Sequence, residues 1–439
     1  TMIMEKETMI MEKETMIMIA QTPPMGWNSW DCYGAAVNED IVRKNAEYMA
    51  KNLKKYGWEY IVVDIQWSNP TAPNHEYQPF TELEMDEYGR LMPAVERFPS
   101  AEGGKGFAPL AEYVHSLGLK FGIHIMRGIP RQAVHRNVKI MGTDKTARQI
   151  ANTDSICHWN TDMYGVNADA EGAKAYYDSI FKLYAEWGVD FIKIDDICRE
   201  LPHEEKELLM VSQSIRSCGR DMVLSLSPGP ALLEKAELYK QCANMWRITD
   251  DFWDKWELLY DMFFRAEKWC THSGPGHWPD ADMLPIGAIL QDYGSDGWTK
   301  FTKDEQMTMM TLWCMMRSPL MIGGDITFND DFTLKLLTNS EVLEMLSQSR
   351  SAHQVYRRTE NGTERIVWTA YRRDGGMYAA VFNTSDEEKE ITVNLAECEI
   401  GDGIKTVNAV EMWSGETLDG ITEIKAVIPP HGAKAYRID

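Results

Sequence analysis

The stretch Phe191-Ile192-Lys193-Ile194-Asp195-Asp196 decides how this chain folds. Apolar residues alternate with a lysine and end in two adjacent aspartates, which predicts a buried strand with a carboxylate at its C-terminal tip. Lys193 and Asp195 are two residues apart, so their side chains point to the same face of the strand. A later stretch, Met245-Trp246-Arg247-Ile248-Thr249-Asp250-Asp251, has the same organisation. Two strand-end carboxylates indicate an acid/base pair for bond cleavage.

Short apolar runs of this kind alternate with amphipathic segments from residue 23 to residue 340. The predicted strands are Met25–Trp30, Tyr60–Gln66, Lys120–Ile125, Asp190–Asp195, Met222–Ser227, Met245–Thr249, His277–Leu284 and Leu320–Gly324. The predicted helices are Glu39–Tyr56, Phe107–Leu117, Ala170–Trp187, Glu204–Cys218, Asp254–Cys270 and Lys303–Met316. Gly57, Gly118 and Gly188 each follow a helix and precede a strand, as C-cap glycines do. Eight alternations favour a (β/α)8 TIM barrel over an open sheet.

The pattern changes after a helical segment predicted at Asn329–Ser349. Short alternating runs then follow, separated by turn clusters, at Arg365–Tyr371, Gly376–Asn383, Glu388–Leu395, Thr406–Met412, Glu423–Ile428 and Ala433–Ile438. This indicates a small C-terminal antiparallel β-sandwich domain at residues 350–439, after a barrel at residues 18–349. The heptapeptide TMIMEKE occurs at residues 1–7 and again at 8–14. We interpret residues 1–17 as an appended repeat and Met18 as the candidate native start, with a short native amphipathic arm as the alternative.

Composition and charge restrict the partners of this 439-residue chain, which has a formal net charge of −22. The excess of acidic residues argues against nucleic acid and against an anionic membrane, since both bind positive surfaces. No apolar run approaches the roughly 18 to 20 residues that a membrane-spanning helix needs. The eight cysteines form no C-x-x-C motif, which indicates buried free thiols in a reducing compartment. We therefore expect a cytoplasmic protein, with export after removal of a signal peptide as the alternative.

Polar residues cluster at the predicted C-terminal strand ends, where a (β/α)8 barrel has its active site. They are Asn28, Trp30 and Asp31 on strand 1, Asp64 on strand 2, His124 and Arg127 on strand 3, Lys193 and Asp195 on strand 4, Ser225 and Ser227 on strand 5, Arg247, Asp250 and Asp251 on strand 6, and Asp280 and Asp282 on segment 7. An inward lysine beside a carboxylate keeps that carboxylate ionised, as a nucleophile requires.

Several other chemistries lack their motifs in this sequence. The ten histidines form no H-x-H pair and no Cys/His cluster has ligand spacing, so we expect neither a metal nor another cofactor. The sequence contains no G-x-S-x-G elbow and no G-x-x-x-x-G-K-[ST] phosphate loop. Two carboxylates in a pocket with aromatic side chains, without a metal, indicate glycoside hydrolysis.

At these residues the chain resembles glycoside hydrolase family 27, the retaining α-galactosidases and α-N-acetylgalactosaminidases. The resemblance covers nearly the whole chain from Pro23 onward and ends in the β-sandwich domain of that family. The motifs that carry it are Met25-Gly26-Trp27-Asn28-Ser29-Trp30, Tyr60–Trp67, Phe191–Cys198, Trp246–Asp251, Asp280–Leu284 and Ser318-Pro319-Leu320.

The resemblance implies a role for each residue of the site. Asp195 is the expected nucleophile and Asp251 the expected general acid/base, with Asp250 as the fallback for the acid. The resemblance implies a double displacement with carboxyl groups roughly 5 to 6 Å apart. The expected substrate-binding residues are Trp30, Asp31, Asp64, His124, Lys193, Ser227, Ala231, Arg247 and Asp282. Asp196 is not expected to take part, because alternation points it away from Lys193.

Departures from the family pattern leave the sugar open. Ile65 stands where the family has a second acid beside Asp64, and His124 stands where a tyrosine is common. Ser227 and Ala231 resemble the small residues with which N-acetylgalactosaminidases admit the 2-acetamido group. The leading prediction is an exo-α-galactosidase acting on a terminal α-linked galactose. The alternatives are an α-N-acetylgalactosaminidase, a β-L-arabinopyranosidase or another galacto-like glycosidase, and a sugar-binding pseudoenzyme. The oligomeric state is not predicted.

Overall fold

The structure is a computed structural model. It describes residues 19–199, 201–291, 297–360, 362–398, 400 and 405–439. The repeat predicted at residues 1–17 lies outside the described residues. A central sheet is built from eight parallel strands in the predicted order. They are β1 (Met25–Asn28), β2 (Tyr60–Val63), β3 (Lys120–Met126), β4 (Phe191–Asp195), β5 (Val223–Leu226), β6 (Met245–Arg247), β7 (Trp278–Asp280) and β8 (Leu320–Ile322).

The eight strands curl into a barrel. Their order in the sheet is β7-β6-β5-β4-β3-β2-β1-β8. The segment after β7 completes the circle, because Leu284 forms a parallel bridge with Ile322 of β8. The Leu284 N–H donates to the Met321 carbonyl at 2.8 Å, and the Gly323 N–H donates to the Leu284 carbonyl at 2.9 Å. The predicted (β/α)8 barrel is confirmed.

Helices connect successive strands on the outside of the barrel. They are α1 (Glu39–Asn52), α2 (Ala108–Ser116), α3 (Ala173–Trp187), α4 (Leu201–Arg216), α5 (Ala236–Cys242), α6 (Trp256–Trp269), α7 (Lys303–Met316), α8 (Asp331–Thr338) and α9 (Ser340–Gln348). A reciprocal capping box between Thr302 and Glu305 fixes the start of α7. Gly188 ends α3 with a left-handed φ of 80°, which explains why glycine is found between that helix and β4.

The barrel interior is layered by the two-residue period of its strands. An apolar layer at the N-terminal end contains Phe191, Val223, Met245 and Trp278, which belong to one buried cluster. The residues two positions further along are Lys193, Ser225, Arg247 and Asp280, which line a small internal cavity together with Phe191 and Met245. Because alternate residues of a strand share a face, the polar layer lies directly above the apolar one, towards the C-terminal end.

An excursion between β3 and α3, which the sequence pattern did not reveal, adds a small antiparallel sheet. Its strands are Ile129–Pro130, Ala151–Ile156 and Met163–Val166, with the last in the middle. Most side chains of Ala151–Ile156 are exposed, so this strand lacks the apolar alternation that identifies strands from sequence.

The chain ends in two packed antiparallel sheets, as predicted. The larger sheet has the order β9 (Arg350–Glu360), β10 (Thr363–Tyr371), β11 (Met377–Asn383), β16 (Ala433–Ile438), β13 (Val407–Glu411) and β14 (Thr417–Ile421), and the smaller pairs β12 (Lys389–Asn394) with β15 (Glu423–Ile428). Along β11, Tyr378, Ala380 and Phe382 pack into the barrel core, whereas Ala379 and Val381 pack between the two sheets.

Three details differ from the sequence-based prediction. The helical segment predicted at Asn329–Ser349 is two helices, α8 and α9, because Asn339 leaves the helical region with ψ 101°. The strands β9 and β14 were not predicted. Both are rich in charged or exposed residues, so their pairing rather than their hydrophobic pattern defines them.

The eight cysteines are all free, and seven of them are buried. Within the described ranges, no helix has both the length and the hydropathy that a bilayer span requires.

Candidate active site

A cavity of about 240 Å³ opens at the C-terminal ends of the barrel strands. It is lined by the acids Asp31, Asp64, Asp195, Asp250, Asp251 and Asp282, the cations Lys193, Arg199 and Arg247, the aromatic residues Trp30, Tyr77, Trp159, Phe252 and Trp253, and Ile65, Pro228 and Met283. Such a volume, walled by aromatic rings and paired charges, is suited to one small polar ring.

Asp195, at the end of β4, is held in one orientation by two hydrogen bonds. His124 Nε2 donates to Asp195 Oδ2 at 2.8 Å, and the Ser227 hydroxyl donates to Asp195 Oδ1 at 2.9 Å. Burial alone would raise the pKa of Asp195, but His124, the Lys193 charge and the Ser227 hydrogen bond outweigh it and hold this pKa well below its usual value. Asp195 is therefore a buried, ionised carboxylate.

Asp64 and Lys193 form an ion pair on the cavity wall. Lys193 Nζ lies 2.9 Å from Asp64 Oδ2, and the Asn28 amide donates to the same oxygen at 2.8 Å. Burial opposes charge on both groups, yet their attraction lowers the pKa of Asp64 and raises that of Lys193. This fixed pair of an acceptor and a donor is suited to binding adjacent hydroxyl groups of a sugar.

Arg247, at the end of β6, joins two further carboxylates. Its Nη2 lies 3.0 Å from Asp251 Oδ1 and 3.0 Å from Asp282 Oδ2. The side chain of Asp282 is buried, whereas that of Asp251 is 64% exposed and faces the cavity mouth. The neighbouring Asp250 also lines the cavity, but its Oδ2 pairs with Arg199 Nη1 at 3.0 Å and not with Arg247.

Three further acids at the strand ends have their pKa shifted in the other direction. Burial, and then the charge of Asp282, raise the pKa of Asp31 well above its usual value. The same two causes raise the pKa of Asp280 to about 7. Burial also raises the pKa of Asp282 against the attraction of Arg247. The pKa values of the buried acids thus move in opposite directions, downward for Asp64 and Asp195 and upward for Asp31, Asp280 and Asp282.

Ile65 gives the cavity an apolar wall next to Asp64. It is buried and packs in one cluster with Met126, Cys157 and Met163, the last two from the excursion. The following residue, Gln66, turns away and donates through Nε2 to both carboxylate oxygens of Asp162, at 2.9 and 2.8 Å. Neither Gln66 nor Asp162 lines the cavity, so this carboxylate does not replace the second acid that Ile65 lacks.

The structure brings most of the predicted site residues to the cavity surface. Trp30, Asp31, Asp64, Lys193, Asp195, Arg247, Asp251 and Asp282 all line it. His124 and Ser227 stand behind the surface as the hydrogen-bond donors to Asp195. Ala231 is buried outside the lining, and its N–H donates to the Arg247 carbonyl at 2.9 Å.

Sequence reasoning missed several aromatic residues at the rim. Tyr77 and Trp159 lie on long connections, with ring centroids 5.9 Å apart, and Tyr77 stacks on Trp30 at 6.0 Å. Trp253 could have been found, since it stands two residues after Asp251. Tyr77 and Trp159 carried no local signal, because only the folded loops bring them to the barrel mouth.

In the described part of the chain, no group of three or more His, Cys, Asp or Glu side chains is arranged to hold a metal ion. A barrel with two carboxylates at its mouth, one buried and ionised and one exposed beside an arginine, defines a site for cleaving glycosidic bonds.

Comparison with known proteins identifies the family. The alpha galactosidase A family model matches residues 22–166 and 163–348, and that of the alpha galactosidase C-terminal beta sandwich domain matches residues 362–438. The chain therefore belongs to glycoside hydrolase family 27, as its motifs predicted, and it is a glycoside hydrolase that acts on a carbohydrate.

Individual relatives differ in the activity for which they are named. An α-galactosidase from Cyamopsis tetragonoloba is 28% identical over 422 residues, which cover 95% of this chain and 86% of the relative. The structure of a family 27 β-L-arabinopyranosidase from Geobacillus stearothermophilus matches with a TM-score of 0.92 and 55% identity, over 97% of this chain and 98% of that one. A candidate α-N-acetylgalactosaminidase from Bacillus halodurans matches with a TM-score of 0.84 and 51% identity, over 95% and 97%.

Proposed function

We propose that this protein is a retaining exo-β-L-arabinopyranosidase. The observation that supports the proposal is the apolar wall at Ile65, which lines the cavity in place of a second acid. A β-L-arabinopyranoside has the ring configuration of an α-D-galactopyranoside but lacks the exocyclic hydroxymethyl group. The pentose therefore presents only ring hydrogens at the position where galactose presents a hydroxyl group.

The apolar wall favours arabinose over galactose because it offers no hydrogen-bond partner to the extra hydroxyl group of galactose. A hydroxyl group placed against Ile65, which Met126 and Met163 back, would lose its water without gaining a partner, at a cost of about 1 to 3 kcal/mol. The pentose avoids this cost and still presents its ring hydroxyl groups to Asp64 and Lys193. The 55% identity to an arabinopyranosidase, which has also been solved with bound arabinose, supports the same substrate.

The proposed reaction is a double displacement. The ionised Asp195 carboxylate attacks the anomeric carbon, while Asp251 donates its proton to the glycosidic oxygen and the aglycone leaves. The exposure of Asp251 at the cavity mouth supports this role, because the leaving group must depart towards solvent. Asp251, now a carboxylate, then removes a proton from the water that cleaves the glycosyl–Asp195 ester, and the anomeric configuration is retained.

α-Galactosidase activity is the second candidate. The 28% identical curated relative has this name, and the Asp64–Lys193 pair would serve galactose equally well. α-N-Acetylgalactosaminidase activity is less favoured, because the Ser227 hydroxyl is engaged with Asp195 and Ala231 lies outside the cavity lining.

We propose a cytoplasmic location for the protein, as expected from the sequence. The free thiols support it, because unpaired cysteines are typical of a reducing compartment.

A panel of p-nitrophenyl glycosides tests the proposal. We expect kcat/KM for the β-L-arabinopyranoside to exceed that for the α-D-galactopyranoside by roughly 10- to 100-fold, the range that one unmatched polar group produces. Equal or better hydrolysis of the galactoside or its 2-acetamido analogue would reject the pentose assignment. Binding of sugars without turnover of any glycoside would instead indicate a pseudoenzyme.

The variant Ile65→Asp tests the supporting observation directly. A carboxylate there offers galactose an acceptor and places an unpaired charge against the pentose, so the arabinoside-to-galactoside ratio of kcat/KM should fall at least 10-fold. Ile65→Leu is the matched control, since it keeps the wall apolar and should preserve the ratio. An unchanged ratio in Ile65→Asp would mean that another part of the cavity selects the sugar.

A further inference from the structure

The main chain after Asp195 adopts a backbone conformation that must be held in place. Asp196 has φ 62°, in the left-handed region that only a few non-glycine residues adopt. This residue directly follows β4, the strand that presents the Asp195 carboxylate. Any relaxation of its backbone would therefore move that carboxylate. Asp196 is also buried, which means that its own charge requires a partner.

Arg127, the first residue after β3, supplies both the restraint and the partner. Its backbone N–H donates to the Asp195 carbonyl at 3.0 Å. Its Nε donates to the Asp196 carbonyl at 2.7 Å, and its Nη2 donates to Asp196 Oδ2 at 2.8 Å. One residue therefore binds the carbonyls of Asp195 and Asp196 and the carboxylate of Asp196. A guanidinium does this through its fixed planar fork, which an ammonium lacks.

The remaining nitrogen of Arg127 connects the end of β4 to the helices outside the barrel and to the excursion. Its Nη1 donates to Glu207 Oε2 on α4 and to the Ser155 hydroxyl of the excursion, both at 3.0 Å. Glu207 Oε1 accepts from the Tyr177 hydroxyl on α3 and, at 3.1 Å, from the Val166 N–H. All three charged groups are nearly inaccessible, with side-chain exposures of 3% for Arg127, 10% for Asp196 and 3% for Glu207.

The packing leaves no room for this arginine to move. A Cβ at Gly165 would lie 2.6 Å from Arg127 Nη1 and 2.7 Å from Ser155 Cβ, so a larger residue there would displace the guanidinium or Ser155. The same excursion carries Cys157 and Met163, which back the apolar wall at Ile65. Arg127 thus lies where the strand end of Asp195 meets the segment that supports the sugar-selecting wall.

We propose that Arg127 is a positioning residue for the reaction: it clamps the Asp195–Asp196 main chain and thereby sets the orientation of the attacking carboxylate. This rests on the proposed function, in which Asp195 is the nucleophile. The clamp acts on the rate of attack and not on sugar affinity, because Asp64 follows β2 and Lys193 lies within β4, before the main chain that Arg127 holds.

The test compares Arg127→Lys with a matched control. The control is Arg317→Lys, which alters a largely buried arginine that donates to the Leu346 and Ser347 carbonyls at 2.7 and 2.9 Å, near the N-terminal end of the barrel. Active sites are counted with a dinitrophenyl 2,2-difluoroglycoside that traps the glycosyl-enzyme, and kcat is expressed per trapped site. Peptide mapping of the trapped enzyme identifies the labelled carboxylate.

We expect Arg127→Lys to lower kcat per trapped site by roughly 10- to 100-fold with little change in KM, as misplacement of a reacting group does. Arg317→Lys should lower the melting temperature and leave kcat per site unchanged. A wild-type kcat per site in Arg127→Lys would overturn the clamp and leave only a structural role.

A milder variant keeps the proposal testable if Arg127→Lys does not fold. Asp196→Asn retains the shape and the carbonyl contacts of Asp196 but weakens the ion pair, so kcat per site should fall by a smaller factor, roughly 3- to 10-fold. An unchanged value would also overturn the clamp. A label on a carboxylate other than Asp195 would refute the nucleophile assignment itself, which separates that failure from a failure of the clamp.

Discussion

At the scale of single residues, this site depends on buried acids whose protonation states are set by their neighbours. Asp195 and Asp280 are both buried at strand ends, yet the pKa of Asp195 is held low while that of Asp280 is raised to about 7. The difference follows from partners, because Asp195 receives hydrogen bonds from His124 and Ser227, whereas Asp280 faces the negative charge of Asp282. Each state can be changed by replacing one partner.

His124→Phe should move the acid limb of the kcat/KM–pH profile to higher pH. The reaction needs Asp195 ionised, and the depressed pKa keeps it so down to low pH. Removing His124 takes away the largest interaction that opposes burial, so the pKa of Asp195 rises and activity is lost at a higher pH. Ser227→Ala removes only one hydroxyl donor and should produce a smaller shift. An acid limb that does not move in His124→Phe would show that another group controls it.

The choice between Asp251 and Asp250 as general acid can be tested by varying the leaving group. Asp251→Ala should lower kcat/KM by about 10²- to 10⁴-fold for glycosides with poor leaving groups, because general-acid catalysis contributes that much. A dinitrophenyl glycoside needs no protonation of its leaving group and should lose far less. Asp250→Ala is the comparison, since Asp250 is paired with Arg199. If the leaving-group dependence appeared in Asp250→Ala instead, the acid role would belong to Asp250.

At the scale of secondary structure, Asn339 shows how one side chain divides a helical segment. Its Oδ1 accepts from the Glu341 and Val342 N–H groups, both at 3.1 Å, and so begins α9 where α8 ends. Its Nδ2 donates to the Met412 carbonyl at 2.8 Å, which ties this junction to the C-terminal sheets. Amphipathic periodicity continues through the junction, so the break follows from the cap and not from the apolar pattern.

Asn339→Ala should therefore lower the free energy of unfolding by about 1 to 2 kcal/mol, the usual effect of losing an N-cap. Urea unfolding monitored by circular dichroism measures this change. Ser347→Ala is a control in the same helix, because its hydroxyl makes only a local contact with the Glu344 carbonyl. The control should change stability by no more than about 0.5 kcal/mol. A loss of equal size in both variants would contradict the capping role of Asn339.

At the scale of the whole molecule, the barrel and the C-terminal sheets share buried surface. Trp368 and Phe382 belong to the barrel core cluster, and the ring of Phe382 meets that of Phe263 on α6 edge to face at 4.9 Å. His431 stacks on Trp256 with ring centroids 3.7 Å apart, and its Nδ1 lies 2.7 Å from Glu305 Oε1 on α7. An interface this apolar resembles the inside of one domain more than a contact between two.

We expect one cooperative transition when the full chain is unfolded by heat in a calorimeter. Removing the sheets would expose the faces of α6 and α7 that Phe382 and its neighbours cover, so a chain ending at Ser349 should not fold on its own. Phe382→Ala should lower the melting temperature of the single transition without splitting it, because a cavity at the shared core costs about 3 to 5 kcal/mol. Two resolved transitions in the intact chain would contradict this coupling.

The strands of this barrel could be read from the sequence because each is a short apolar run bounded by turn residues. The same period of two placed Lys193 and Asp195 on one face, and six ordered motifs identified the family. These inferences depend on neighbours along the chain, so no knowledge of distant contacts was needed. By contrast, the strands Ala151–Ile156 and β14 carry exposed side chains, and nothing local distinguishes them from loops.

Contacts between residues far apart in the sequence could be seen only in the folded chain. The hydrogen bond from His124 to Asp195, the pairing of Gln66 with Asp162, and the packing of Met163 behind Ile65 all join different strands or loops. Burial and distance set the pKa of a carboxylate and the polarity of a wall, and neither quantity exists until the barrel closes. The chemistry of the strand ends could thus be inferred from order along the chain, whereas the sugar we propose rests on what the fold packs against Ile65.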